Sequence, residues 1–157
     1  MTIDRSVEAF GEWLAGEYRP DGHYDEILVL SGPDAGGADV SIRLCSGEKS
    51  YYEARVDLAR EELQVGFGTE GRVLNEEIEQ MVLDNGGDLS ELLGDELCDL
   101  GADPLPMEHF FERPAFRYIV RLPLDGPEAL NDTALRTSVK TVLKACRVLF
   151  QDCIDSA

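Results

Sequence analysis

The strongest motif match in this chain is Gly66-Phe67-Gly68-Thr69-Glu70-Gly71, a G-x-G-x-x-G pattern. With Val73 it extends to the longer glycine-rich loop of protein kinases. Glycines at these positions let backbone amides approach phosphate, and a helix N-terminus adds partial positive charge. The surroundings argue against a nucleotide. A dinucleotide fold needs a parallel βαβ unit whose second strand ends in an acid about twenty residues on. That place holds Asn85-Gly86-Gly87-Asp88, with no strand pattern. A kinase needs a lysine on the next strand and a catalytic loop. Glu70, Glu76 and Glu77 would also repel phosphate. The segment is therefore expected to be a glycine-rich edge strand and turn, and no cofactor is expected.

Metal and nucleophile chemistry find no better footing. Glu108-His109-Phe110-Phe111-Glu112 and His23-Tyr24-Asp25-Glu26 each place one histidine near carboxylates, whereas a catalytic zinc wants three well-placed ligands. Asp84-Asn85-Gly86-Gly87-Asp88 lacks the alternating carboxylates and terminal Glu of a calcium loop. No serine lies in G-x-S-x-G. Cys45, Cys98, Cys146 and Cys153 form no C-x-x-C pair, and three of them fall on apolar faces, as expected of reduced, buried thiols. Cys146 and Cys153 share one helical seam in small apolar roles. Neither catalytic residues nor metal ligands are assigned. Of the aromatics, Tyr51 and Phe110 merit notice, because one of each adjacent pair in a strand points outward.

The elements that must position these residues follow from periodicity. Ile3, Val7, Phe10, Trp13 and Leu14 give a first helix, about Asp4 to Tyr18, one apolar face. Arg19-Pro20-Asp21-Gly22 stops it. Ile27-Leu28-Val29-Leu30 reads as a buried strand. Val40, Ile42 and Leu44, then Tyr52, Ala54 and Val56, then Leu63, Val65 and Phe67 each alternate with polar residues or glycine. Such patterns joined by short turns predict an antiparallel meander with one solvent-facing side. A second helix is predicted from about Val73 to Asp84, and a short third capped by Asp88 or Ser90. Two strands follow, Met107 to Glu112 and Ala115 to Leu124. A last helix is capped by Asn131 or Asp132. The expected fold class is α+β, one domain over residues 1–157: an antiparallel sheet with helices packed on one face, in the order helix–meander–helix–hairpin–helix.

The last helix stands out. Leu135, Val139, Val142, Cys146, Leu149 and Cys153 recur at four- and three-residue steps, and Leu143, Phe150 and Ile154 widen the seam. Its charged residues between Thr133 and Gln151 are all basic: Arg136, Lys140, Lys144 and Arg147. The whole chain carries a net charge of -18. From Glu70 to Asp103 there are eleven acidic residues and one basic residue, Arg72. This balance excludes nucleic acid and an anionic membrane surface as partners, since both bind through Lys and Arg. A basic protein segment or a cationic ligand fits the overall field. The start of the chain shows no signal-peptide pattern, and no apolar run approaches the ~20 residues of a membrane span, so a cytoplasmic location is expected.

Phe116-Arg117-Tyr118-Ile119-Val120-Arg121-Leu122-Pro123-Leu124, a Gly/Pro break and the amphipathic helix ending Ala145-Cys146-Arg147-Val148-Leu149-Phe150 resemble the last third of the YbjN family of sensory transduction regulators. That family has the type III secretion chaperone-like fold. Two features depart from it: four strands precede the middle helix where the family has three, and Asp84 to Pro106 is longer than the usual link. The resemblance implies a homodimeric, non-enzymatic protein that holds or senses another polypeptide, with no catalytic residues to carry over. The expected binding surface is the last helix, with Leu135, Val139 and Val142 giving apolar area and Arg136, Lys140 and Lys144 orienting an acidic rim. Two rivals stand beside it: an acidic inhibitor or immunity-type protein whose Glu70–Asp103 lobe blocks a basic site, and a small-molecule-binding enzyme with an unrecognised site.

Overall fold

The computed structural model describes residues 4–156. Ile3, counted above on the first helix's apolar face, lies outside them. The elements run α1 (Arg5–Tyr18), β1 (Glu26–Leu30), β2 (Val40–Cys45), β3 (Ser50–Asp57), β4 (Glu62–Thr69), α2 (Arg72–Asp84), α3 (Leu89–Asp99), β5 (Glu108–Glu112), β6 (Ala115–Pro123) and α4 (Thr133–Ser156). Three 3-10 turns join them, at Arg19–Asp21, Gly32–Ala35 and Pro127–Asn131. The strands form one sheet in the order β1-β2-β3-β4-β6-β5. Every neighbouring pair is antiparallel. The α+β class expected from segregated strand runs is the observed one.

Side-chain acids start α1, α3 and α4. The Asp4 carboxylate accepts from Ser6 N at 2.8 Å, Asp88 from Glu91 N at 3.1 Å and Asp132 from Ala134 N at 3.1 Å. Each satisfies a backbone donor that the first turn leaves free. Ser90, the other cap considered for α3, instead accepts from Met107 N at 2.9 Å and so anchors the approach to β5.

The helices lie over one sheet face. Tyr52, Ala54 and Val56 of β3, Leu63, Val65 and Phe67 of β4, and Tyr118, Val120 and Leu122 of β6 all point into this layer and are buried. Phe150 of α4 stacks on Phe67, with ring centroids 5.1 Å apart, and lies 5.2 Å from Tyr118. Gln151, the next residue, accepts from the Tyr52 hydroxyl at 2.9 Å. Full burial of an aromatic of this size is worth about 1.5–3 kcal/mol. The aromatic centre therefore fixes how α4 sits across the sheet.

Two expectations are corrected. Ile27-Leu28-Val29-Leu30 is not a buried strand: β1 is a sheet edge, and Val29 is exposed. An edge strand has one neighbour only, so an unbroken apolar run does not by itself imply cover on both sides. The meander's second face is not solvent-facing either. Ser41, Glu53, Arg55, Gln64 and Arg117 all project from it, and all are buried.

Candidate functional site

The apolar seam of α4 is not a docking surface. Val139, Val142, Leu143, Cys146 and Phe150 are buried within the single chain. Leu135, Leu149, Cys153 and Ile154 pack partly buried against the same core. Only Val148, 54% exposed, is a large apolar side chain of α4 left open. The seam looked too wide for one sheet face because α4 packs against more than the sheet. It also meets α2, α3 and the turn at Pro127–Asn131. Three elements beside the sheet use up the extra width. Val139 and Val142, expected to bind a partner, are therefore core residues, and Leu135 is half-buried against the same core.

The basic residues of α4 divide. Arg136 is consumed internally: its guanidinium lies 4.5 Å from the Trp13 ring centroid and its Nε donates to Leu130 O at 2.8 Å. Lys140 bonds Glu17 of α1 at 2.8 Å. Lys144 is exposed and has no ion pair or hydrogen bond among the described residues. Arg147 lies 5.0 Å from the Tyr24 ring centroid.

Lys140, Lys144 and Arg147 line one side of an open cleft of about 590 Å³ between α4 and the end of α1. Tyr18, Asp21, His23 and Tyr24 form the other side. The i, i+4, i+7 spacing of the three cations puts them on one helix face, and Pro20 and Gly22 turn the chain after α1 so that Tyr24 faces them. Tyr18 and Tyr24 pack edge to face at 5.8 Å. Burial raises the pKa of both hydroxyls above the ordinary tyrosine value; the neighbouring Arg147 partly opposes this at Tyr24. Both remain protonated donors. The cleft thus presents donors and positive charge against Asp21 in its lining and Glu17 beside it, the latter taken up by Lys140. Its chemistry is that of an anion site with an aromatic wall. Sequence reasoning found Lys140 and Lys144 by charge sign. It missed Tyr18 and Tyr24, whose approach depends on the turn after α1.

The helix-free sheet face holds a second polar centre. Glu53 accepts from Ser41 Oγ at 2.5 Å, Arg43 Nε at 3.1 Å and Arg117 Nη2 at 2.8 Å. Arg117 Nη1 also donates to Gln64 at 3.0 Å. Arg55 donates to Glu112 at 3.0 Å and to Gly36 O at 2.9 Å. Burial works to raise the Glu112 pKa, but the Arg55 hydrogen bond and the Arg117 charge outweigh it and hold the carboxyl below its usual range. The guanidinium stems lie across the sheet and cover it, which is how a face free of helices stays dry. Tyr51 and Phe110 lie on this side, but Tyr51 is buried there rather than pointing outward, and Phe111 is the exposed member of its pair. Arg43 lies 4.4 Å from the Tyr51 centroid, and Arg117 lies 5.8 Å from that of Phe110.

The glycine motif belongs to this centre. Gly66 and Gly68 lie within β4, an interior strand between β3 and β6 and not the expected edge. A Cβ on Gly66 would sit 1.9 Å from Tyr118 O, and one on Gly68 would meet the Tyr51 ring at 2.7 Å. These glycines make room for strand approach and for the Tyr51 ring. Gly71 caps α2 without a side-chain bond.

All four cysteines are free, but only Cys146 is fully buried, and burial pushes its pKa up to about 12. Cys98 is exposed, against the expectation of buried thiols. Among the described residues no three His, Cys, Asp or Glu side chains converge as a metal site. No described helix is long and apolar enough to cross a membrane. No family model, curated protein or solved structure matches the chain.

Proposed function

We propose that this protein is a non-enzymatic, cytoplasmic binding module that captures an acidic segment of another polypeptide in the cleft between α1 and α4. One observation carries the proposal: in a chain of net charge -18, Lys140, Lys144 and Arg147 converge on a single cleft lined by one carboxylate, Asp21, with Glu17 beside it held by Lys140, so that Lys144 and Arg147 stay available. Lys144 and Arg147 pair with carboxylates of the incoming segment, and the tyrosine hydroxyls donate to its backbone or acid groups. The Tyr18–Tyr24 wall covers apolar stems. At physiological salt the Debye length is about 8 Å, so distant acids repel such a segment weakly while cations at contact act in full. The chaperone-like resemblance points to the same kind of ligand, a non-globular polypeptide. Four free cysteines accord with a reducing compartment.

The test is fluorescence anisotropy with a labelled glutamate-rich peptide. Saturable, salt-weakened binding is expected, with a loss of about tenfold or more in Lys144→Glu/Arg147→Glu, since a tenfold change is only 1.4 kcal/mol. Unchanged affinity in that variant refutes the assignment. A second reading rests on the eleven acids between Glu70 and Asp103, most of them exposed, with Arg72–Glu76 the one ion pair they make among the described residues. In it the α2–α3 lobe blocks a basic site. A lysine-rich peptide in the same assay separates the two: binding of that peptide alone favours the lobe.

A further inference from the structure

We infer that the corner between α2, α3 and β5 is a second site, a pocket for a small apolar amine. It lies apart from the α1–α4 cleft and is lined by none of the same residues.

The pocket measures about 320 Å³, at the lower end of small-ligand sites. Val82, Leu83 and Leu89 supply an aliphatic wall, and His109, Tyr118 and Glu79 the polar side. The Gly86-Gly87 turn, with positive φ at both residues, lets α3 double back after α2 and open this corner.

The hydrogen bonds of the polar side fix what a ligand must bring. Asn75 is buried and its Nδ2 donates to Glu79 Oε1 at 3.0 Å. A carboxylate accepts only, so the amide orientation is set, and Asn75 Oδ1 faces the other two partners. The Tyr118 hydroxyl donates to that oxygen at 2.5 Å. His109 Nε2 lies 3.2 Å from the same oxygen and therefore carries the proton. The His109 ring is stacked on Tyr118, with centroids 4.0 Å apart and planes 13° from parallel, so it cannot swing away freely. Burial lowers the His109 pKa, with Glu79 pulling the other way, and the ring is neutral at physiological pH. The Tyr118 hydroxyl, the His109 Nε2–H and one Asn75 Nδ2–H are then spent on Asn75 or Glu79. His109 Nδ1 and the second Glu79 oxygen are left as acceptors on the exposed rim of the pocket.

A ligand for two acceptors and an aliphatic wall is an apolar body with a donor head. The Glu79 carboxylate at the pocket selects a cationic head over a neutral one. An ammonium group pairs with Glu79 beside the His109 ring, while its hydrocarbon lies on Val82, Leu83 and Leu89.

The probes are 2-phenylethylamine as its ammonium salt and its uncharged analogue 2-phenylethanol, titrated into the 15N-labelled full chain. Expected are saturable amide shifts at Leu83, Gly87 and Leu89, several-fold tighter binding of the amine, and movement of the His109 Nδ1 resonance. Glu79→Gln retains an acceptor for Asn75 and should abolish the preference for amine while leaving alcohol binding in place. The inference is overturned by no saturable shift up to about 10 mM, weaker than any useful site. It is overturned equally by shifts confined to the Lys144 cleft, by a silent His109 Nδ1, or by an amine preference that survives Glu79→Gln. Because the acidic-peptide assay reads the other cleft, either proposal can fail alone.

Discussion

Replacing Glu53 by methionine puts the dry polar face to its sharpest test. Glu53 is 3% exposed and takes hydrogen bonds from Ser41, Arg43 and Arg117. Its side chain and that of Arg117 are each only 4% exposed, so water cannot take over when the carboxylate is lost. Arg117 would keep Gln64 and a distant Glu112 at 3.7 Å. Arg43, 23% exposed, can turn outward. The cost is therefore that of one stranded buried guanidinium, about 3–5 kcal/mol. For a chain of this length each kcal/mol moves Tm by about 2–4 °C, giving a fall of about 6–20 °C. Urea unfolding followed by Trp13 fluorescence and far-UV dichroism reads the change as a lower midpoint at constant slope. Glu53→Met/Arg117→Met should recover most of the loss, because an apolar pair of similar volume no longer strands a charge. A loss under about 1 kcal/mol for Glu53→Met would mean that the guanidinium finds solvent and the face is not dry. A double variant no better than the single would show that the energy lies in packing and not in the ion pair.

Val139→Glu should unfold the chain and not split an oligomer, because Val139 is fully buried; a well-folded variant of lower mass by light scattering would restore the seam as an interface. Gly66→Ala should cost about 3 kcal/mol or more, since its Cβ would fall 1.9 Å from Tyr118 O, and a normal melting curve would refute the close approach of β4 and β6. Protonating His109 favours the unfolded chain, because its folded pKa lies below the ordinary 6.5. Stability should thus be full above that value and fall as pH drops from it to the lowered folded pKa. Urea midpoints at about pH 5 and about pH 7.5 should differ less in His109→Gln than in the parent; an equal pH response removes His109 as the cause.

Much of the architecture was legible in one dimension. Period-two runs located β2, β3, β4 and β6, the Pro-Gly cluster ended α1, and cap candidates at Asp88 and Asp132 marked the starts of α3 and α4, because each signal acts within a few residues of its cause. Lys140 and Lys144 were legible as cations on one face of α4 because charge sign survives folding. What a face meets was not legible. The alternating Tyr51, Glu53 and Arg55 have the same pattern whether water or arginine stems cover them. The wide seam of α4 has the same spacing whether a second copy or the chain's own α2 and α3 fills it. Tyr18 and Tyr24 meet Arg147 only after the chain turns at Pro20, and Asn75 meets His109 only through the β5–β6 register. Residue spacing sets which side chains share a surface. What covers that surface depends on contacts between residues dozens to a hundred positions apart, and those arise only when the whole chain packs.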